Sequence, residues 1–212
     1  MEKRGRIGII FLTLIAILIS LYFDSQIVRG FSYIRTNVLN NIFLVITSWI
    51  FIGIVILALG SFLLWKARKK KLIFPLWMGA FVSYAVSAIL KIIIQRPRPF
   101  NMGIVATLPS LAKNSHLFWN FSLPSSHAMF VFATLPLLIK GLPKLKYWWI
   151  SLAILIGLSR VYFGLHFLSD VLIGGLLGYG IGLFILKKEE KKQIWNKVKI
   201  FLDKLTRPKK KN

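Results

Sequence analysis

Residues 159–170 read Ser-Arg-Val-Tyr-Phe-Gly-Leu-His-Phe-Leu-Ser-Asp, placing an arginine, a histidine and a carboxylate together between two strongly apolar stretches. Ionisable groups at membrane depth are costly unless paired or hydrated, so function is the first reading of such a cluster. Asp170 carries most weight. The chain has six acidic residues, and the other five (Glu2, Asp24, Glu189, Glu190, Asp203) are read as lying at termini or segment edges. His166 and Asp170 stand four apart, on one face of a helix if a helix runs through both. A carboxylate so placed can hold an imidazole's tautomer and support positive charge on it, as a histidine nucleophile requires.

Two further clusters are candidates for the same site: Lys91 with Arg98 and Pro99, and Pro124-Ser125-Ser126-His127. Each has a plainer reading alone. Lys91 can snorkel from a helix end, the Pro-Ser-Ser-His run can simply start a helix, and Arg160 can anchor a span at the interface. Together they describe an anion site. Lys91, Arg98 and Arg160 would neutralise a phosphoryl group, and an arginine fork matches two phosphate oxygens at once. Backbone N–H groups of Ser125, Ser126 and His127, in the first turn of a helix, would point at the same anion. His166, backed by Asp170, is then the candidate nucleophile, and His127 the candidate acid for a leaving oxygen.

The elements that must position these groups are membrane helices. Of the 212 residues, 56 % are hydrophobic, and the mean hydropathy is +0.68, values of a membrane protein. The formal net charge of +23 lies in clusters between apolar runs. That is the flanking charge that topology demands, so no nucleic-acid partner is expected. With no cysteine, disulfides, thiol catalysis and cysteine-held metals are excluded.

The expected fold is all-α, an integral membrane bundle of six transmembrane helices over about 7–23, 42–65, 72–94, 124–139, 147–161 and 166–186. The first run is read as a retained helix, since no small-x-small cleavage pattern follows it. Residues 24–41 read as a polar connection, and 100–123 as the longest loop. Pro124 is placed in the first turn of the fourth span. Gly174, Gly178 and Gly182 continue the four-residue spacing of His166 and Asp170, either as a seam for a close neighbour or as ordinary membrane-helix glycine. The membrane domain is expected over 1–187, and 188–212 reads as a basic amphipathic tail lying on the cytoplasmic leaflet, with a simple solvated tail as the alternative. Lysine-rich segments at both termini, 66–71 and 140–146 read as cytoplasmic, which puts every candidate group on the extracytoplasmic face.

Lys91, six residues, Arg98-Pro99; Pro-Ser-Ser-His; and Ser159-Arg160, five residues, His166, three residues, Asp170: this order and spacing resembles the type 2 phosphatidic acid phosphatase and vanadium haloperoxidase superfamily. The resemblance covers 91–170, and the span layout extends it over most of the chain. It implies a membrane lipid phosphatase working without metal or other cofactor. By that likeness Lys91, Arg98, Ser125, Ser126 and Arg160 bind phosphate and His166 forms a phosphohistidine. Asp170 orients it, and His127 protonates the leaving group and then activates water. Ser126 departs from the glycine common at its position. His116, outside every motif, reads as a surface or substrate-rim residue.

The expected substrate is a lipid phosphate or diphosphate in the bilayer, with a polyprenyl diphosphate preferred and phosphatidate or phosphatidylglycerol phosphate open. Apolar residues of the long loop (Met102, Leu108, Leu111, Phe118, Trp119, Phe121) either guide the lipid chain or only anchor the loop. A lipid phosphotransferase would use the same motifs. An anion transporter would account for Lys91 and Arg160 but not for the histidine spacing. Metal-assisted hydrolysis is disfavoured because the outer face offers only Asp170 and three histidines as ligands.

Overall fold

The computed structural model describes residues 3–112 and 121–192. His116, Phe118, Trp119 and residues 193–212, the greater part of the expected amphipathic tail, lie outside the described residues. Every regular element within them is helical. In order these are α1 (Lys3–Tyr33), α2 (Asn37–Thr47), α3 (Trp49–Ile52), a π-helical stretch (Gly53–Leu59), α4 (Gly60–Lys66), α5 (Ile73–Ile94), the one-turn α6 (Pro109–Ala112), α7 (Ser126–Gly141), α8 (Lys146–Tyr162) and α9 (Leu168–Lys192). Short 3₁₀ turns at Lys70–Leu72 and Pro143–Leu145 lead into α5 and α8.

Among the described residues, three segments are long and apolar enough to cross a membrane: Phe11–Tyr33, Lys70–Ile94 and Leu168–Lys191. Asn37–Thr47, Gly53–Lys66 and Ser126–Gly141 are shorter apolar helices. The outer surface is apolar as well, with Phe11, Leu18, Trp65, Phe81, Ile93 and Phe184 all more than half exposed. A surface of that kind is stable against hydrocarbon, where backbone groups must be satisfied within each helix.

α7 is the central element. Most of its residues are buried, and it packs against α5, α8 and above all α9. The glycine stripe of α9 is the seam of that last contact. A methyl group on Gly178 would stand 2.2 Å from the Met129 carbonyl oxygen, and one on Gly182 2.1 Å from that of Ala133. Neither leaves room for a side chain, so the backbones of α7 and α9 meet directly.

Several boundaries differ from expectation, each for a local reason. α1 runs through Asp24 to Tyr33 rather than stopping at residue 23. Asp24 is buried and bonded to Arg96 and Ser169, so it neither ends the helix nor lies at an edge. The second span is broken at Ser48. Its hydroxyl donates to the Val45 carbonyl (2.9 Å) and accepts from the Phe51 N–H (3.1 Å), closing α2 and opening α3 with one side chain. Pro124 precedes α7 instead of sitting in its first turn, because Ser125 is the N-cap. The Leu123–Pro124 peptide bond is cis. α9 begins at Leu168, so His166 lies in the preceding turn and not on a shared helix with Asp170. It also runs past residue 187, burying Glu189 and pairing Glu190 with Lys140 at 2.9 Å.

Candidate active site

At its C-terminal end α5 presents Lys91 and then stops at Gln95, whose left-handed backbone (φ 53°, ψ 31°) turns the chain into Arg96-Pro97-Arg98-Pro99. Helix α7 brings Ser126 and His127 in its first turn. The last turn of α8 carries Ser159 and Arg160, and a tight turn through Gly164 (φ 69°) sets His166 ahead of α9. A side chain at Gly164 would meet Val105 at 2.4 Å, so both the backbone and the space require glycine there.

Lys91, Arg98, Ser126, His127, Arg160 and His166 line one cleft of about 840 Å³. Leu44, Trp49, Tyr84, Ile92, Leu111 and Leu165 form its apolar walls, and no carboxylate among the described residues lines it. Six of the eight expected site residues therefore share one cavity. Ser125 and Asp170 do not line it, but both are buried next to it, the Ser125 N–H donating to the Asp170 carbonyl at 3.1 Å. That bond corrects one expectation, since the Ser125 N–H is not available to an anion. The Ser125 hydroxyl makes no capping bond and has no hydrogen-bond partner among the described residues.

The basic residues are buried, not snorkelling or anchoring. Lys91 is 4 % exposed, and its ammonium donates to the carbonyls of Phe121 and Ser122. Arg160 donates to the Thr47 hydroxyl at 2.7 Å, and its Nε has no partner among the described residues. Arg98 donates to the Leu165 carbonyl at 2.9 Å and approaches His166 Nε2 at 3.2 Å. Burial lowers the Arg98 guanidinium to about 10, with Asp170 acting in the opposite sense.

The partners of His166 define its tautomer. Nδ1 lies 2.6 Å from the Ser122 carbonyl, which can only accept, so the ring proton sits on Nδ1. Nε2 then holds the lone pair, facing Arg98. Asp170 Oδ2 is farther from Nδ1, at 3.7 Å, and accepts instead from the Phe167 N–H at 2.8 Å. His166 is thus oriented chiefly by a carbonyl rather than by the carboxylate. Its pKa lies well below the ordinary histidine value, through burial first and then the charges of Arg98, Lys91 and Arg160. His127 Nε2 meets the Thr47 carbonyl at 3.0 Å, and the ring stacks on Trp49 with centroids 4.0 Å apart. Ser126 Oγ and Ser87 Oγ share a 2.5 Å hydrogen bond.

Five residues at or beside the site were not anticipated: Asp24, Thr47, Trp49, Arg96 and Ser122. Asp24 did carry a signal, as a carboxylate directly at the end of a long apolar run, where a cationic partner is needed if the helix continues. Arg96 stands in the same Gln-Arg-Pro-Arg-Pro stretch as Arg98 but outside the spacing that singles Arg98 out. Thr47 and Ser122 act largely through backbone carbonyls, which side-chain identity does not reveal.

Comparison with known proteins finds relatives of the whole fold. Residues 70–194 match the model of the PAP2 superfamily. Decaprenylphosphoryl-5-phosphoribose phosphatase of Mycobacterium tuberculosis is 33 % identical over 137 residues, covering 63 % of this chain and 70 % of its own. Bacitracin transport permease protein BcrC of Bacillus licheniformis is 32 % identical over 129 residues, 61 % of this chain and 63 % of its own. Among solved structures, the PAP2-type phosphatidylglycerolphosphate phosphatase of Bacillus subtilis superposes with a TM-score of 0.67 at 25 % identity, covering 88 % of this chain and 96 % of that one.

Proposed function

The chain belongs to the PAP2 superfamily and is a membrane phosphatase of the type 2 phosphatidic acid phosphatase kind; from that premise we propose that it removes the terminal phosphate of a polyprenyl phosphate or diphosphate through a phosphohistidine at His166. One observation carries the reading. Three buried cations, Lys91, Arg98 and Arg160, share a cleft with a neutral imidazole whose lone pair faces Arg98, and among the described residues the cleft has apolar walls and no carboxylate. Phosphoryl transfer needs mainly positioning and charge neutralisation, and this cleft supplies both.

In the proposed reaction Lys91, Arg98 and Arg160 take the phosphoryl oxygens, helped by Ser126 and the Ser125 hydroxyl. Arg98 exchanges its contact with Nε2 for a phosphate oxygen, which frees the lone pair. Nε2 attacks phosphorus as the bond to the leaving oxygen breaks, and His127 gives that oxygen a proton. His127 must first exchange its Thr47 carbonyl partner for the leaving oxygen. Water then loses a proton to His127 and attacks the phosphohistidine, the P–N bond breaks, and inorganic phosphate leaves. Asp170 supports the positive charge that develops on His166. No metal takes part.

The polyprenyl preference rests on the two bacterial relatives, one named for a decaprenyl-linked substrate and the other for bacitracin transport. We propose six crossings: α1, the broken α2 to α4 unit, α5, α7, α8 and α9. Both termini are then cytoplasmic and the cleft opens on the other face. Phosphate release by purified protein tests the reaction, with polyprenyl diphosphate, phosphatidate and phosphatidylglycerol phosphate as substrates. Release should persist in chelator, disappear in His166→Ala, and be fastest from the polyprenyl substrate. Loss of release in chelator, or retention in His166→Ala, overturns the mechanism, and transfer to added lipid in preference to water makes the protein a phosphotransferase.

A further inference from the structure

Arg96 is the one arginine of the Gln-Arg-Pro-Arg-Pro turn that the proposed reaction leaves without a role. Its guanidinium gathers three buried groups. Nη1 donates to Asp170 Oδ1 at 2.6 Å and to Ser169 Oγ at 2.8 Å, while Nη2 donates to Asp24 Oδ2 at 2.8 Å. The group also lies 4.2 Å over the Phe167 ring. Asp24 reaches the start of α9 as well, accepting from the Ser169 N–H at 3.1 Å and from the Ser169 hydroxyl. Asp24 and Asp170 are 4 % and 0 % exposed, so each needs a cation within reach, and Arg96 is bonded to both.

The backbone of the same residue acts on the other side of the imidazole. The Arg96 carbonyl accepts from the Ser122 N–H at 2.8 Å and from the Ser122 hydroxyl at 3.2 Å. Ser122 is thereby pinned with its own carbonyl 2.6 Å from His166 Nδ1. The two acceptors that face Nδ1, the Ser122 carbonyl and the Asp170 carboxylate, are therefore both set from one residue.

We propose that Arg96 is the positioning residue of this site, holding Asp170 with its side chain and Ser122 with its carbonyl, and so fixing the tautomer and aim of His166 while tying α1 to the reaction centre through Asp24. Arg96 is not among the residues that line the cleft. Its removal leaves Lys91, Arg98 and Arg160 in place, so it acts on the chemical step and not on phosphate binding. Lysine is a poor substitute, because a single ammonium cannot serve Asp24, Asp170 and Ser169 in one plane while stacking on Phe167.

The proposal rests on the phosphohistidine reading, and two measurements on the full-length protein in detergent test them apart. Arg96→Ala should lower kcat by about 100-fold with KM changed by less than about threefold, the scale expected when a reacting group is misplaced by about an ångström. Arg96→Lys should recover thermal stability but not kcat. The second measurement needs no turnover. The chain has three histidines, so nitrogen-15 histidine spectra can be assigned with His116→Gln and His127→Gln. His166 should show the Nδ1–H tautomer in the native protein and a tautomer mixture in Arg96→Ala. An unmoved His166 signal in folded Arg96→Ala, an unchanged kcat, or full recovery by lysine overturns the role of Arg96. Native protein that releases phosphate from no lipid overturns the phosphatase reading, and the spectra still decide on Arg96.

Discussion

Ser125 and His166 show how burial and partners, more than residue type, decide what a group can do. The Ser125 hydroxyl is buried without a partner among the described residues, so its loss costs little of the fold. Ser125→Ala should keep the native melting temperature within a few degrees. Its affinity for inorganic orthovanadate should fall about tenfold, matching the roughly 1.4 kcal/mol of one hydrogen bond to an anion; equal affinity would remove Ser125 from the phosphate site. The proposed nucleophile His166 needs Nε2 unprotonated, and its pKa lies well below the ordinary histidine value. Lowering the pH through the ordinary histidine range should therefore leave it neutral. The acid limb that it contributes to kcat/KM should fall below that range, and a limb centred within it would contradict the assignment.

The elements follow from where side chains can and cannot fit. Gly178 and Gly182 let α9 lie on the backbone of α7, and α9 carries Asp170 while α7 carries His127. Gly178→Ala should cost about 1–3 kcal/mol, because its methyl would press on the Met129 carbonyl and only a shift of the helix relieves it. Gly180→Ala, with nothing within 4 Å, should be tolerated. Thermal unfolding of both variants in detergent checks this, and equal stability would refute the close-packed seam. Even spacing made the stripe visible in the sequence, but the choice between a seam and ordinary glycine needed the position of α7. The break at Ser48 had no such signal. It depends on one hydroxyl closing one helix and opening the next, and it delivers Thr47 to His127 and Arg160.

Across the whole molecule, charge and hydropathy are the basis of the proposed orientation. The cysteine-free sequence makes that testable with single introduced thiols. In intact cells Met102→Cys, in the exposed loop after Arg98, should react with a membrane-impermeant maleimide, whereas Lys144→Cys should react only after permeabilisation; the reverse pattern would invert the proposed topology. The apolar runs, the lysine clusters and the spacing of Lys91, Arg98, His127, Arg160, His166 and Asp170 are properties of the chain read in one dimension, so helical class, membrane residence and most of the cleft were legible without coordinates. Tertiary structure alone decided what those groups are bonded to. Ser122 lies 44 residues from His166, and Asp24 lies 72 residues from Arg96. Neither pairing has a local period to betray it, since carbonyl groups carry no sequence identity and a buried carboxylate finds its cation only when helices pack.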